Sequence, residues 1–258
     1  MKILAVGAHP DDVELMCSGT LARLAEQNHE IAICSVTGGE YGSKTLGPEE
    51  VRPIRIREGE AAAAVLHGKF YCAGGRDKHF IFNEEVRNRL CEIFRVVSPD
   101  IVFAPSPKDY VLDHDFSSLL ARDCATAATI PTFVTGSYPP SPPATRIPHF
   151  YYCEPVWHMD IFGSSVPSTT YVDITSVMDR KRQMLACHAS QVEFMPTHFG
   201  AGAGLIDLFE PWGRDNGHLA GCEYAEAFRQ HVAPPFPHDN ILVALVGAKF
   251  ISRRDNIG

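Results

Sequence analysis

The sequence predicts an α/β fold: a Rossmann-like, mostly parallel sheet flanked by helices, with an elaborated C-terminal third. Three observations predict it. Short apolar runs alternate with longer helical patterns through the first half, the signature of βαβ units. The runs Ile3-Leu4-Ala5-Val6 and Ile101-Val102-Phe103-Ala104 are apolar throughout, as strands covered on both faces are. Polar turns follow these strands, where open α/β sheets place their ligands.

The first strand spans Lys2–Ala8 and the first helix Val13–Asn28, with Leu15, Leu21, Leu24 and Ala25 on one side. Ser18-Gly19 lets that helix approach the sheet. Strand 2 is Glu30–Thr37. The loop Gly38-Gly39-Glu40-Tyr41-Gly42-Ser43 follows, so Glu40 is a candidate to face a pocket there. Glu49–His67 is helical, with Pro53 in its first turn and Arg55 and Glu58 as a surface ion pair. Strand 3 is Lys69–Cys72 and helix 3 is Asn83–Val97, capped by Asn83. Strand 4 is Asp100–Pro105 and helix 4 is Phe116–Ile130.

The proline-rich stretch Pro131–Pro148 cannot form regular structure and predicts a flap or an oligomer contact. Strands are expected at Phe150–Cys153 and Thr169–Ile174, and a helix at Ser176–Ala189 with Arg180-Lys181-Arg182 as a solvated face. Thr197–Gly221, which contains His198, Trp212, Arg214 and His218, reads as a glycine-rich loop. Tyr224–His231 reads as a short helix. The apolar tail Asn240–Phe250 should be buried.

With 258 residues, 45 % hydrophobic and 21 % charged, the chain fits one domain over 1–258. A net charge of -8 argues against a nucleic-acid partner. No apolar run approaches the ~18 residues that span a membrane, and the N-terminal run reads as a strand and not a signal peptide. The 8 cysteines show no CxxC spacing and read as reduced core residues of a cytoplasmic protein.

Two turns carry chemistry. Ala8-His9-Pro10-Asp11-Asp12-Val13-Glu14 places one imidazole and three carboxylates between strand 1 and helix 1. His9 and Asp12 offer the mixed donors that zinc accepts, and Asp11 is positioned to act as a general base. The competing reading is a capping box from Asp11 to Glu14. The second turn, Asp109-Tyr110-Val111-Leu112-Asp113-His114, follows strand 4. Strands 1 and 4 are neighbours in a 3-2-1-4 order, which brings His114 beside His9 and Asp12 as a third ligand. Asp113 is then placed to orient an imidazole, and Tyr110 to touch a substrate. Trp157 and His158 offer a substrate wall and a general acid; a locally packed loop is the alternative. His188 either bonds locally at a helix end or points into the site.

Both turns resemble the PIG-L, or LmbE-like, zinc-dependent de-N-acetylases. The family's first motif, Ala-His-Pro-Asp-Asp-x-Glu, is present unchanged. Further echoes are Thr37-Gly38-Gly39-Glu40, Arg55-x-x-Glu58, His188-x-Ser190-Gln191 and Tyr224-Ala225-Glu226-Ala227-Phe228. The resemblance implies one zinc ion held by His9, Asp12 and His114, with Asp11 as base. It also implies an N-acetylated sugar or conjugate as small-molecule substrate, and a homo-oligomer. The second motif departs from the family's His-Pro-Asp-His: it reads Val111-Leu112-Asp113-His114, so the histidine that assists the oxyanion or leaving amine is replaced by valine. Two alternatives follow. One is a metal-dependent hydratase or lyase acting on an unsaturated carboxylate, with Arg55 or Arg214 facing the metal. The other is a non-catalytic metabolite-binding homologue.

Overall fold

A computed structural model describes residues 1–79, 83–137, 140–195 and 204–250. The expected loop residue His198 lies outside these. Among the described residues the strands are β1 (Lys2–Gly7), β2 (Glu30–Thr37), β3 (Lys69–Gly75), β4 (Ile101–Ala104), β5 (His149–Cys153), β6 (Thr170–Asp173), β7 (Ala225–Gln230) and β8 (Lys249–Phe250). They form one sheet of order β3-β2-β1-β4-β5-β7-β6-β8. The β3-to-β5 part is parallel, and β7, β6 and β8 join antiparallel.

Strand alternation sorts the core into two layers. Ile3 and Ala5 of β1 face one layer, and Leu4 and Val6 face the other. Helices α1 (Asp12–Glu26) and α2 (Pro48–Val65) cover the first layer. Helices α3 (Glu84–Val97) and α4 (Leu112–Ala127) cover the second. The Asn83 side chain accepts from the N–H groups of Glu85 and Val86, so α3 starts where its cap predicts. Helix α4 begins at Leu112, four residues earlier than expected, which puts Asp113 and His114 in its first turn. Pro48 takes the first position of α2, and Pro53 lies inside the helix beyond the first turn.

The C-terminal third differs most from expectation. Residues 225–230 form strand β7, not a helix, because they pair with both β5 and β6. The glycine-rich stretch folds from Leu205 to Ala220 as a helix, α7, ending at Gly221 in the left-handed region (φ 76°). The expected helix over 176–189 is shorter: a turn at Thr175–Val177 leads into α5 (Met178–Ala186), and a separate helix, α6 (Ala189–Phe194), follows. Lys181 is not solvated: it is fully buried and paired with Glu226 at 2.7 Å. Helix α8 (Ile241–Val246) buries Leu242 and Val246 but exposes Val243. The described residues within 131–148 form neither helix nor strand. All eight cysteines are free thiols, five of them buried. No helix among the described residues is long and apolar enough to cross a membrane.

Candidate active site

Residues at the carboxyl ends of β1, β3 and β4 meet at one cavity. Asp12 Oδ2 accepts from the N–H groups of Ala8 at 2.7 Å and His9 at 2.8 Å, which folds the first turn. A side chain at Gly7 would bring a Cβ 2.8 Å from Asp12 Cβ, so the turn needs glycine there. Asp11 makes no capping bond. It sits at φ 129°, a costly conformation for a residue with a Cβ, and is turned toward the cavity.

The three expected ligands converge. His9 Nδ1 is 3.4 Å from Asp12 Oδ2, and His114 Nε2 is 3.3 Å from Asp12 Oδ1. One donor atom from each of the three lies within 4.8 Å of the other two, a grouping of imidazole nitrogens and a carboxylate oxygen that could hold a divalent ion. The other nitrogen of each imidazole is held by carboxylates. His9 Nε2 is 3.1 Å from Asp113 Oδ2 and 3.2 Å from Asp77 Oδ1. His114 Nδ1 is 3.0 Å from Asp109 Oδ1. Such anchoring keeps the outer nitrogen protonated and aims the inner lone pair at an ion.

Burial alone would lower the His114 pKa, but the Asp12 and Asp109 carboxylates outweigh it and push it up to about 10. His9 is raised for the same reason by Asp12, Asp113 and Asp77. Burial would raise the Asp12 carboxyl, but the two imidazoles hold it well below its usual range. The metal-free cluster therefore carries protons that an ion must displace. Apparent metal affinity should fall as pH is lowered below these raised values, by about tenfold per unit for each protonated histidine. Calorimetry in buffers of different ionisation enthalpy should detect proton release. Affinity that is constant between pH 6 and 8 would contradict the ligand assignment.

Arg55 is buried, and its Nη2 is 2.8 Å from Asp11 Oδ1. This corrects the expected surface pair with Glu58, which instead accepts from Ser190 N at 2.8 Å and Ser190 Oγ at 2.6 Å. The tertiary fold tucks that face of α2 under the first turn, so Arg55 never reaches solvent. Burial raises the Asp11 pKa, Arg55 pulls it down, and the balance is upward.

Tyr110 lines the cavity with its ring edge-on to His114. Val111 lines it where the family pattern has histidine. Glu40 does not line it: Glu40 is buried, accepts from Asp77 N at 3.1 Å, and braces the Asp77 loop. His188 is fully buried, with Nε2 3.5 Å from Glu14 Oε2, and lies off the cavity wall. His158 Nδ1 is 2.9 Å from Glu154 Oε2, and its ring also lies off the wall. Glu154 further accepts from Trp212 Nε1 and Asn216 Nδ2, both at 2.8 Å, so His158 belongs to a bonded network beneath its loop. Arg214 pairs with Glu223 on the surface. Asp77, Lys78 and Asp109 also line the cavity and belong to no recognisable motif in the sequence. Their one sequence signal is position just beyond a strand's carboxyl end.

A Rossmann-like sheet with a two-histidine, one-aspartate cluster at its β1/β4 crevice defines a class of metal-dependent hydrolase-type domains. Residues 4–125 match the family model PIG-L, GlcNAc-PI de-N-acetylase. The diacetylchitobiose deacetylase of Thermococcus kodakarensis is 25 % identical over 243 residues, spanning 88 % of this chain and 82 % of the relative. The 4-oxalmesaconate hydratase of Pseudomonas putida is 28 % identical over 204 residues, spanning 73 % of each. In structure, the N,N'-diacetylchitobiose deacetylase of Pyrococcus horikoshii is similar with a TM-score of 0.74 at 25 % identity, over 91 % of this chain and 87 % of that one.

Proposed function

We propose that this chain is a zinc-dependent hydrolase that removes an N-acetyl group from an amino sugar or sugar conjugate. The observation that carries the reading is the donor set of His9, Asp12 and His114 with Asp11 facing the same cavity. His9, Asp12 and His114 would hold a divalent ion, which would supply Lewis acidity and a water with a pKa lowered to about 7. The protein's own residues do the rest. Arg55 holds one oxygen of Asp11 and fixes its orientation. Asp11 takes the proton from the attacking water and, now protonated, returns it to the departing nitrogen. It does both because Val111 has no proton to give. Asp113 and Asp109 hold the two imidazoles in register. Tyr110 and Arg55 complete the wall against which the substrate rests.

One observation favours a hydratase acting on an unsaturated carboxylate: Arg55 and Lys78 both line the cavity. Both are already paired, however, Arg55 with Asp11 at 2.8 Å and Lys78 with Asp113 at 2.8 Å. The lining carboxylates of Asp11, Asp12, Asp77 and Asp109 are offset by Arg55, Lys78 and the charge of a divalent ion, and with both cations already paired neither is left to hold a carboxylate substrate. The eight free thiols support a reducing, cytoplasmic setting. Exposed Ile161 and Phe162 support a homo-oligomer.

The test is free-amine release from a panel of N-acetylated sugars and conjugates by zinc-loaded protein. Release should stop on chelation and return with zinc. Hydration of an unsaturated dicarboxylate with no amine release from any substrate would overturn the reading.

A further inference from the structure

The cavity beside Asp11 encloses about 440 Å³, the scale of a small-molecule site. Asp77, Asp109 and Asp113 bond the two candidate histidine ligands, and Asp77, Asp109 and Lys78 line the cavity with them. Apart from Gly42, and Val111 in the His114 turn, the apolar part of its described wall is Leu15, Met16, Val156, Phe194, Met195 and Leu205. Leu15, Met16, Val156 and Leu205 are buried in the first core layer, so this wall is a fixed apolar surface. Gln191 stands near Phe194 in sequence, but its amide N–H groups already donate to Gly42 O and Ser190 Oγ.

A sugar ring bound only by polar contacts needs partners for its hydroxyls, and a hydroxyl laid on this wall would lose its water without replacement. An apolar group laid there gains the free energy of leaving water. We propose that the substrate carries a medium-length aliphatic group that lies on the wall of Leu15, Met16, Val156, Phe194, Met195 and Leu205. The chemistry is the same whether that group is the acyl chain of the amide or an aglycone on the sugar. The inference rests on the amide-hydrolase reading for the bond that is cleaved, but not for the binding preference.

The test is calorimetric binding in two arms with metal-loaded protein. One arm compares acetohydroxamate with hexanohydroxamate. The other compares the methyl and hexyl glycosides of N-acetylglucosamine and is repeated in chelated protein, which reads the wall without an ion. Each seated methylene should tighten binding about fourfold, so the longer ligand should win by more than tenfold in one arm. The arm that shows the gain identifies which side of the amide meets the wall. Phe194→Ser and Met195→Ser, at half-buried positions, should bring the long-to-short affinity ratio toward one. Equal affinities in both arms, or a preference untouched by both variants, would overturn the proposal. A chain-length preference in binding with no amine release from any substrate would keep the wall and discard the hydrolase reading. Amine release indifferent to chain length would do the reverse.

Discussion

Asp11→Asn should lower kcat/KM by about 10²–10⁴-fold, the usual contribution of a positioned general base, while leaving the metal content of the protein unchanged. The substitution keeps the side chain's shape, and its carbonyl oxygen still accepts from Arg55, which now sits 2.8 Å from Asp11 Oδ1. What it removes is the proton acceptor proposed for the reaction. Asp11 suits that task because burial raises its pKa and the Arg55 charge limits the rise, bringing the carboxylate nearer the working pH. The same balance gives a second readout. Arg55→Gln removes the cation that favours the ionised form, so the Asp11 pKa should rise further. The acid limb of the kcat/KM profile should then move to higher pH. Near-normal turnover in Asp11→Asn would remove Asp11 as the base. An acid limb that stays put in Arg55→Gln would assign that limb to another group.

Lys181→Met or Glu226→Gln should each destabilise the fold by about 3–5 kcal/mol, because each leaves its partner's charge or polar bonds unmatched in the core. For a chain of this size that corresponds to a loss of roughly 6–20 °C in Tm. The pair is fully enclosed. Lys181 Nζ donates to Glu226 Oε1 at 2.7 Å, to Glu14 O at 2.9 Å and to Leu15 O at 2.8 Å, which uses all three of its protons. It also lies 3.8 Å over the Phe209 ring. Glu226 accepts from Gly19 N at 2.8 Å and Thr20 N at 2.7 Å. Gly19 matters to this closeness, since a Cβ there would lie 2.8 Å from the Ile174 side chain. The pair thus joins β7 and α5 to the first half of α1, the helix that begins with Asp12. The double variant Lys181→Met/Glu226→Gln should be less destabilised than the sum of the singles. Single variants that cost less than about 1 kcal/mol would show that the pair is not a buried anchor.

How much could be read without coordinates depended on how local the determinant was. The α/β class and the early strands and helices follow from period and apolar run, which are properties of neighbours in sequence. The convergence of His9, Asp12 and His114 was legible because the 3-2-1-4 order puts the ends of β1 and β4 side by side. The two turns at those ends are short, so their side chains have little room to go elsewhere. The anchors of the imidazoles were less legible. Asp113 was placed beside an imidazole, and it holds His9. Asp109 holds His114, and Asp77 also reaches His9. Each of these carboxylates depends on where a whole loop comes to rest.

Other features were settled only by the tertiary structure. Ala225-Glu226-Ala227-Phe228 has helix-favouring composition, yet it is a strand because two neighbours offer it a ladder, and pairing overrides a propensity of a few tenths of a kcal/mol per residue. Arg180-Lys181-Arg182 looks like a solvated run of charge, but the middle member faces α1 and meets the one buried carboxylate that neutralises it. Arg55 looks like half of a surface pair and instead restrains Asp11. The sequence by itself determined the strands and helices of the first half and where the turn after β1 lies, because those depend on residues a few positions apart. The tertiary structure decided which charge meets which, because a buried ion pair is chosen by three-dimensional proximity and by the high cost of leaving either partner alone.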